Sequence, residues 1–89
     1  MDIQQLRAAI DDIDEQLVTL FVRRMGAAKD IAEYKRRAGL PIYDRARERE
    51  VLVKVAELAG EPLADDVKAL YMTLFDVSRN YQRRHMEGI

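Results

Sequence analysis

Eighty-nine residues allow one domain and no more. Fifteen Lys and Arg against 16 Asp and Glu leave a net charge of −1, which argues against a nucleic-acid partner, since that normally needs a basic patch. No cysteine is present, so disulfides, thiol chemistry and Cys-ligated zinc are excluded, and the single His85 has no second histidine with which to share a metal. There is no apolar run of 18 or more residues to span a membrane. Residues from Asp2 to Gln5 are polar and lack an apolar signal core, so a cytoplasmic location is the default expectation. With 48% hydrophobic residues, 4 Gly and 2 Pro, the composition is that of an all-α protein.

The first predicted helix covers about residues 3–38. It ends at Gly39 and Pro41, a pair suited to stopping a helix. At about 1.5 Å per residue it spans roughly 54 Å, whereas a compact domain of this size has a radius of gyration of about 12 Å. Leu6, Ile10, Ile13, Leu17, Leu20, Phe21, Ala28 and Ile31 recur at helical steps, so its apolar stripe runs almost the whole length. Such a stripe needs a second chain to cover it, and a symmetric dimer is the commonest solution.

The second predicted helix covers residues 44–59, with Asp44 as a good N-cap, and ends at Gly60 and Pro62. Val51, Leu52, Val55 and Leu58 are its expected inward face. The third covers residues 64–86, with Asp65 and Asp66 where the helix dipole favours negative charge. Its stripe is Val67, Tyr71 and Leu74, and Gly88 lies just beyond its end. Residues 1–89 therefore read as a single helical domain.

Polar and charged residues occupy places on these stripes where apolar ones belong. Beyond Leu20 the first stripe continues through Arg24, Ala28, Ile31 and Lys35. Eleven residues make three turns plus about 20°, so Arg24 and Lys35 share a face, about 16 Å apart along the axis. Ser78 and Gln82 continue the third stripe. Asp44 and Glu48 precede the second, with Arg47 beside them. Inward charge is costly unless paired. Taken singly, each has a plain structural explanation: an ion pair, a frayed helix end, or, for Lys35, a side chain reaching back to solvent. Taken together, Arg24, Lys35 and Arg47, with Arg7 as a fourth cation beside the stripe, face only Asp44 and Glu48. Four minus two leaves +2, a site suited to a small dianion. Arg23, Arg36, Arg37, Arg45, Arg49, Arg83 and Arg84 read as solvated faces, the four tyrosines as core or rim, and the methionines as gap fillers.

The ordered set Leu6-Arg7, Ile10, Ile13-Asp14, Leu17, Leu20, Arg24, Lys35, Pro41, Asp44, Arg47-Glu48, Leu52, Ser78 and Gln82 resembles the all-helical class of chorismate mutase. The resemblance covers about nine tenths of the chain. It implies three helices per subunit intertwined into a homodimer with two active sites, and the Claisen rearrangement of chorismate to prephenate. It also implies roles by position. Arg24 clamps one substrate carboxylate, and Arg7 reaches into the neighbouring subunit's site to hold the other. Lys35 contacts the ether oxygen and a carboxylate, with Gln82 on the other side of that oxygen. Glu48 and the backbone at Asp44 meet the ring hydroxyl, and Arg47 and Ser78 support the site. Such a rearrangement needs no metal, nucleophile or redox cofactor, so none is expected. Two other readings stand beside it. Isochorismate–pyruvate lyases resemble the mutases at the Arg and Lys positions but lack the Arg–Glu pair that Arg47-Glu48 supplies here. A non-catalytic dimerisation or effector-binding module would leave Arg24, Lys35 and Gln82 on inward faces without a reason.

Overall fold

The computed structural model describes residues 1–86, so the expected breaker Gly88 lies outside the described residues. These residues form three helices, α1 (Ile3–Ala38), α2 (Arg45–Ala59) and α3 (Ala64–Met86), with no strand among the described residues. The bounds follow from local chemistry. Asp2 caps α1 through a reciprocal box: its carboxylate accepts from the Gln5 backbone N–H at 2.8 Å, and the Gln5 side chain accepts from the Asp2 N–H at 3.0 Å. Lys35, Arg36 and Arg37 place positive charge in its last turn. Gly39 then turns left-handed at φ 69°, and the Leu40 N–H returns to the Lys35 carbonyl at 2.8 Å. Asp44 caps α2 by accepting from the Arg47 N–H at 3.0 Å. Asp65 and Asp66 lie in the first turn of α3.

Helix α3 packs against both other helices, and α1 and α2 meet only through it. Met25, Ala28 and Ala32 of α1, Val55 of α2 and Phe75 of α3 form the buried apolar core. It is small, and it occupies only the C-terminal half of α1. The molecule measures 54 × 28 × 14 Å with a radius of gyration of 16.0 Å, well above the roughly 12 Å of a compact domain of this length. Leu6, Ile10, Ile13, Leu17, Leu20 and Phe21, the N-terminal run of the stripe, are all exposed, Leu17 to 57%.

Several expectations change. Leu58, expected to face inward, is 73% exposed, whereas Val55 one turn earlier is buried, so within one chain the covered face of α2 stops short of Leu58. Ile31 lies on the expected face but remains half exposed, since that face borders a cavity rather than the core. Met25 is a buried gap filler, whereas Met1 and Met72 are exposed. The arginines read as solvated are all exposed. No helix of the described residues is long and apolar enough to cross a membrane.

The cap at Gly39 is directly testable. A Cβ there would meet nothing within 4 Å, so Gly39→Ala isolates the cost of the left-handed backbone, about 1 kcal/mol. A thermal melt should show Tm lower by about 4–8 °C. An unchanged Tm would contradict this cap geometry.

Candidate active site

A cavity between the three helices and the α1–α2 loop holds about 290 Å³, near the lower end of the roughly 300–1,000 Å³ of small-molecule sites. Arg24, Ala28, Ile31 and Lys35, the continuation of the α1 stripe, line one wall. Asp44, Arg47 and Glu48 bring in the N-terminal turn of α2, and Ser78 and Gln82 face them from α3. Seven of the eight residues singled out in the sequence thus border one space. The eighth, Arg7, does not. It lies 17 residues before Arg24 on the same helix, about 26 Å away along the axis, beyond any side chain's reach.

The cations of this cavity are held in place by neighbours. The Arg24 guanidinium lies 5.6 Å from the centre of the Tyr71 ring, and Tyr71 meets Phe75 edge-on at 6.0 Å between centroids. Lys35 does not turn out to solvent. Its Nζ donates to the Ile42 carbonyl at 2.7 Å, which ties the end of α1 to the loop and leaves two of its three donors for another partner. Arg47 and Asp44 form the exposed rim.

On α3, Ser78 and Gln82 are both buried, and the Gln82 Nε2 donates to Ser78 Oγ at 3.2 Å. The Gln82 Oε1 is buried with no hydrogen-bond partner. An amide rotated by half a turn makes the same contact with the roles exchanged: the Ser78 hydroxyl donates to Oε1, and Nε2 takes the place of the other amide atom. In the orientation described, Gln82 keeps one buried polar atom with no partner in its own chain, which is costly.

One wall residue is not on the stripes read from the sequence. Arg79 lines the cavity and forms ion pairs with Glu48 across to α2 and with Asp76 on its own helix. Its guanidinium also lies 4.8 Å from the centre of the Tyr43 ring. The hydrogen bond to Glu48, foremost, and the one to Asp76 hold the Arg79 pKa above its ordinary value. Phe75, Ser78, Arg79 and Gln82 follow the i, i+3, i+4, i+7 pattern of a single helix face. That signal is present in the sequence, but a stripe drawn through Tyr71 and Leu74 passes Arg79 by. Counting Arg79, the wall carries Arg24, Lys35, Arg47 and Arg79 against Asp44 and Glu48. With Asp76, the second carboxylate paired with Arg79, also counted, four minus three leaves +1 within one chain.

The orphaned acceptor makes a stability prediction. Gln82→Met removes it at similar volume, and Ser78 can return its hydroxyl to its own helix backbone. The ligand-free variant should therefore melt no lower than the parent, with a gain of up to about 1 kcal/mol. A clear fall in Tm would show that the Gln82 amide is a structural member of the fold.

Residues 6–83 match the family model described as chorismate mutase type II. The chain is 30% identical over 88 residues to the chorismate mutase of Methanocaldococcus jannaschii, covering 96% of this chain and 88% of that protein. It is 42% identical over 60 residues to the bifunctional chorismate mutase/prephenate dehydratase of Aquifex aeolicus, covering 67% of this chain and 17% of that protein. It is 38% identical over 71 residues to the T-protein of Enterobacter agglomerans, covering 74% of this chain and 19% of that protein. The chain thus spans less than a fifth of these two longer relatives. No solved structure gives a significant match.

Proposed function

We propose that this chain, which belongs to the chorismate mutase type II family, is an isomerase that rearranges chorismate to prephenate in a preorganised cavity completed by a second copy of itself. The observation that carries the reading is the convergence of Arg24, Lys35, Asp44, Arg47, Glu48, Ser78 and Gln82 on one cavity with excess positive charge. A small dianion supplies the missing negative charge, and family membership names it. The lyase alternative lacks support, because Arg47 and Glu48 are both present at the cavity. Residues 1–89 are read as one helical domain, in which α3 is the shared partner of α1 and α2.

In the proposed mechanism the enzyme moves no proton and forms no bond to substrate. Its first task is to hold a flexible dianion in a chair-like conformer, so that the two ends of the new C–C bond lie together. Arg24, braced on Tyr71, clamps one carboxylate. Arg47 at the rim and Ser78 beneath support the site. The Asp44 backbone and Glu48 fix the ring hydroxyl. The second task is to meet the negative charge that develops on the ether oxygen as its C–O bond breaks. Lys35 is already aimed by the Ile42 carbonyl. Gln82, in the orientation in which Oε1 accepts from Ser78, offers Nε2 from the other side. Donors fixed before the reaction need no reorganisation during it, and loss of one typically costs about 10²–10³ in kcat.

The second carboxylate is assigned to Arg7 of the other copy. Two features support an intertwined homodimer: the uncovered stripe on α1, and the distance along α1 between Arg7 and its own cavity. A two-fold pairing through that stripe would carry the N-terminal part of one α1 past the cavity of the other. Arg7→Ala and Lys35→Ala homodimers should each be nearly inactive. Refolded together, they should regain activity through heterodimers with one intact site, built from Arg7 of the Lys35→Ala chain and Lys35 of the Arg7→Ala chain. Absence of recovery on mixing would remove Arg7 from the neighbour's site.

The role of Gln82 predicts a pH dependence. In Gln82→Glu the side chain can donate to the ether oxygen only while protonated. Activity should be present at low pH and fall as pH rises through the pKa of the introduced carboxyl, where its ionised form would face the developing negative charge. A variant with the parent's pH–rate profile would show that this side chain does not meet the breaking bond.

A further inference from the structure

Arg79 borders the cavity, yet none of the eight roles implied by the family resemblance falls on it. Its geometry assigns it one. Nη1 donates to both oxygens of Glu48, at 2.6 Å to Oε1, and Nη2 donates to Asp76 Oδ1. The face of the guanidinium rests on Tyr43, in the loop that precedes the α2 cap. Both Nη groups are thus directed at carboxylates of the protein, and the side chain is only 18% exposed. The same fork that holds Glu48 from outside leaves each of its oxygens with lone-pair capacity to accept a further hydrogen bond.

The surroundings show why this matters. Glu48 shares the cavity with Arg24, Lys35 and Arg47. Arg79 is the partner with which its carboxylate ion-pairs, so the direction of its remaining lone pairs is set by Arg79. Pinned in this way, it stays at the wall as an acceptor.

We propose that Arg79 is a positioning residue that aims Glu48 at the ring hydroxyl of the substrate, and so makes the site selective for a hydroxylated dianion. This rests on the chorismate mutase reading above and deepens it. Arg79 acts through Glu48 and touches no reacting atom, so its contribution depends on the hydroxyl being there. A residue that merely held α2 against α3, or clamped a carboxylate directly, would matter equally whether the hydroxyl was present or not.

The test compares two substrates: chorismate, and its analogue with hydrogen in place of the ring hydroxyl. Steady-state kinetics and thermal melts are measured for the parent, Arg79→Met and Arg79→Lys. Arg79→Met should lower kcat/KM for chorismate about tenfold, the size of one charge-assisted hydrogen bond. It should change kcat/KM for the analogue by less than about twofold. Arg79→Lys keeps the charge but cannot span both carboxylates as a fork, so it should recover only part of the loss. If Arg79→Met does not fold, Arg79→Lys carries the same two-substrate comparison. Equal losses on both substrates, or no loss on either, from an active parent would overturn this inference alone. A parent that does not convert chorismate would overturn the proposed function, and this inference with it.

Discussion

The rest of the structure depends on the cover that α1 lacks. The helix is as long as the whole molecule, 54 Å, and only its C-terminal half meets α3 through Met25, Ala28 and Ala32. Leu6, Ile10, Ile13, Leu17, Leu20 and Phe21 remain about half exposed. Full burial of such side chains is worth about 1.5–3 kcal/mol each, so covering the exposed half of six would add roughly 5–9 kcal/mol per chain. That is comparable to the whole stability of a small domain. The few buried side chains of one chain make a thin core, and the uncovered stripe is the largest source of further stabilisation. The proposed dimer answers this constraint. It also accounts for Arg7, which sits on the uncovered part of the helix and cannot serve its own cavity.

The cavity reverses the usual rule of core formation. Along α1 the positions that would complete an apolar seam carry Arg24 and Lys35. Along α3 they carry Ser78 and Gln82. Each is held by a neighbour: Arg24 by Tyr71, Lys35 by the Ile42 carbonyl, Gln82 by Ser78, and Glu48 by Arg79. What remains unmatched is a net positive charge and one buried polar atom of Gln82. These imbalances weaken the empty protein slightly and favour a guest that brings negative charge and a hydrogen-bond partner. In the proposed mechanism, which needs no protein nucleophile and no proton transfer, such a fixed electrostatic environment would serve as the catalytic apparatus.

Much of this is legible in the sequence because helices obey a simple period. Gly39 with Pro41 and Gly60 with Pro62 mark the breaks, and the expected spans of α1 and α3 match the observed ones. For α2, Asp44 serves as the expected cap, and the helix proper begins at Arg45. The polar interruptions of the α1 and α3 stripes point to the cavity wall by spacing alone. What stays hidden depends on contacts between elements. Arg79 looks in sequence like one more surface arginine, and only the approach of α2 brings Glu48 to it across 31 residues. Leu58 follows the apolar period of α2 but finds no cover within its own chain. The Asp2–Gln5 capping box carries a sequence signature, Asp followed three residues later by Gln, which a reading of this segment as merely polar passes over. The unpaired half of α1 follows from length alone, whereas the partner's geometry does not.

In the proposed dimer one chain is an incomplete unit, in both core and site. Light scattering at micromolar concentration, with mutase activity assayed on the same fractions, tests this. Activity should travel with a species of about twice the chain mass of 10.3 kDa, and dilution into monomers should abolish fold and activity together. A folded monomer that converts chorismate at full rate would contradict it.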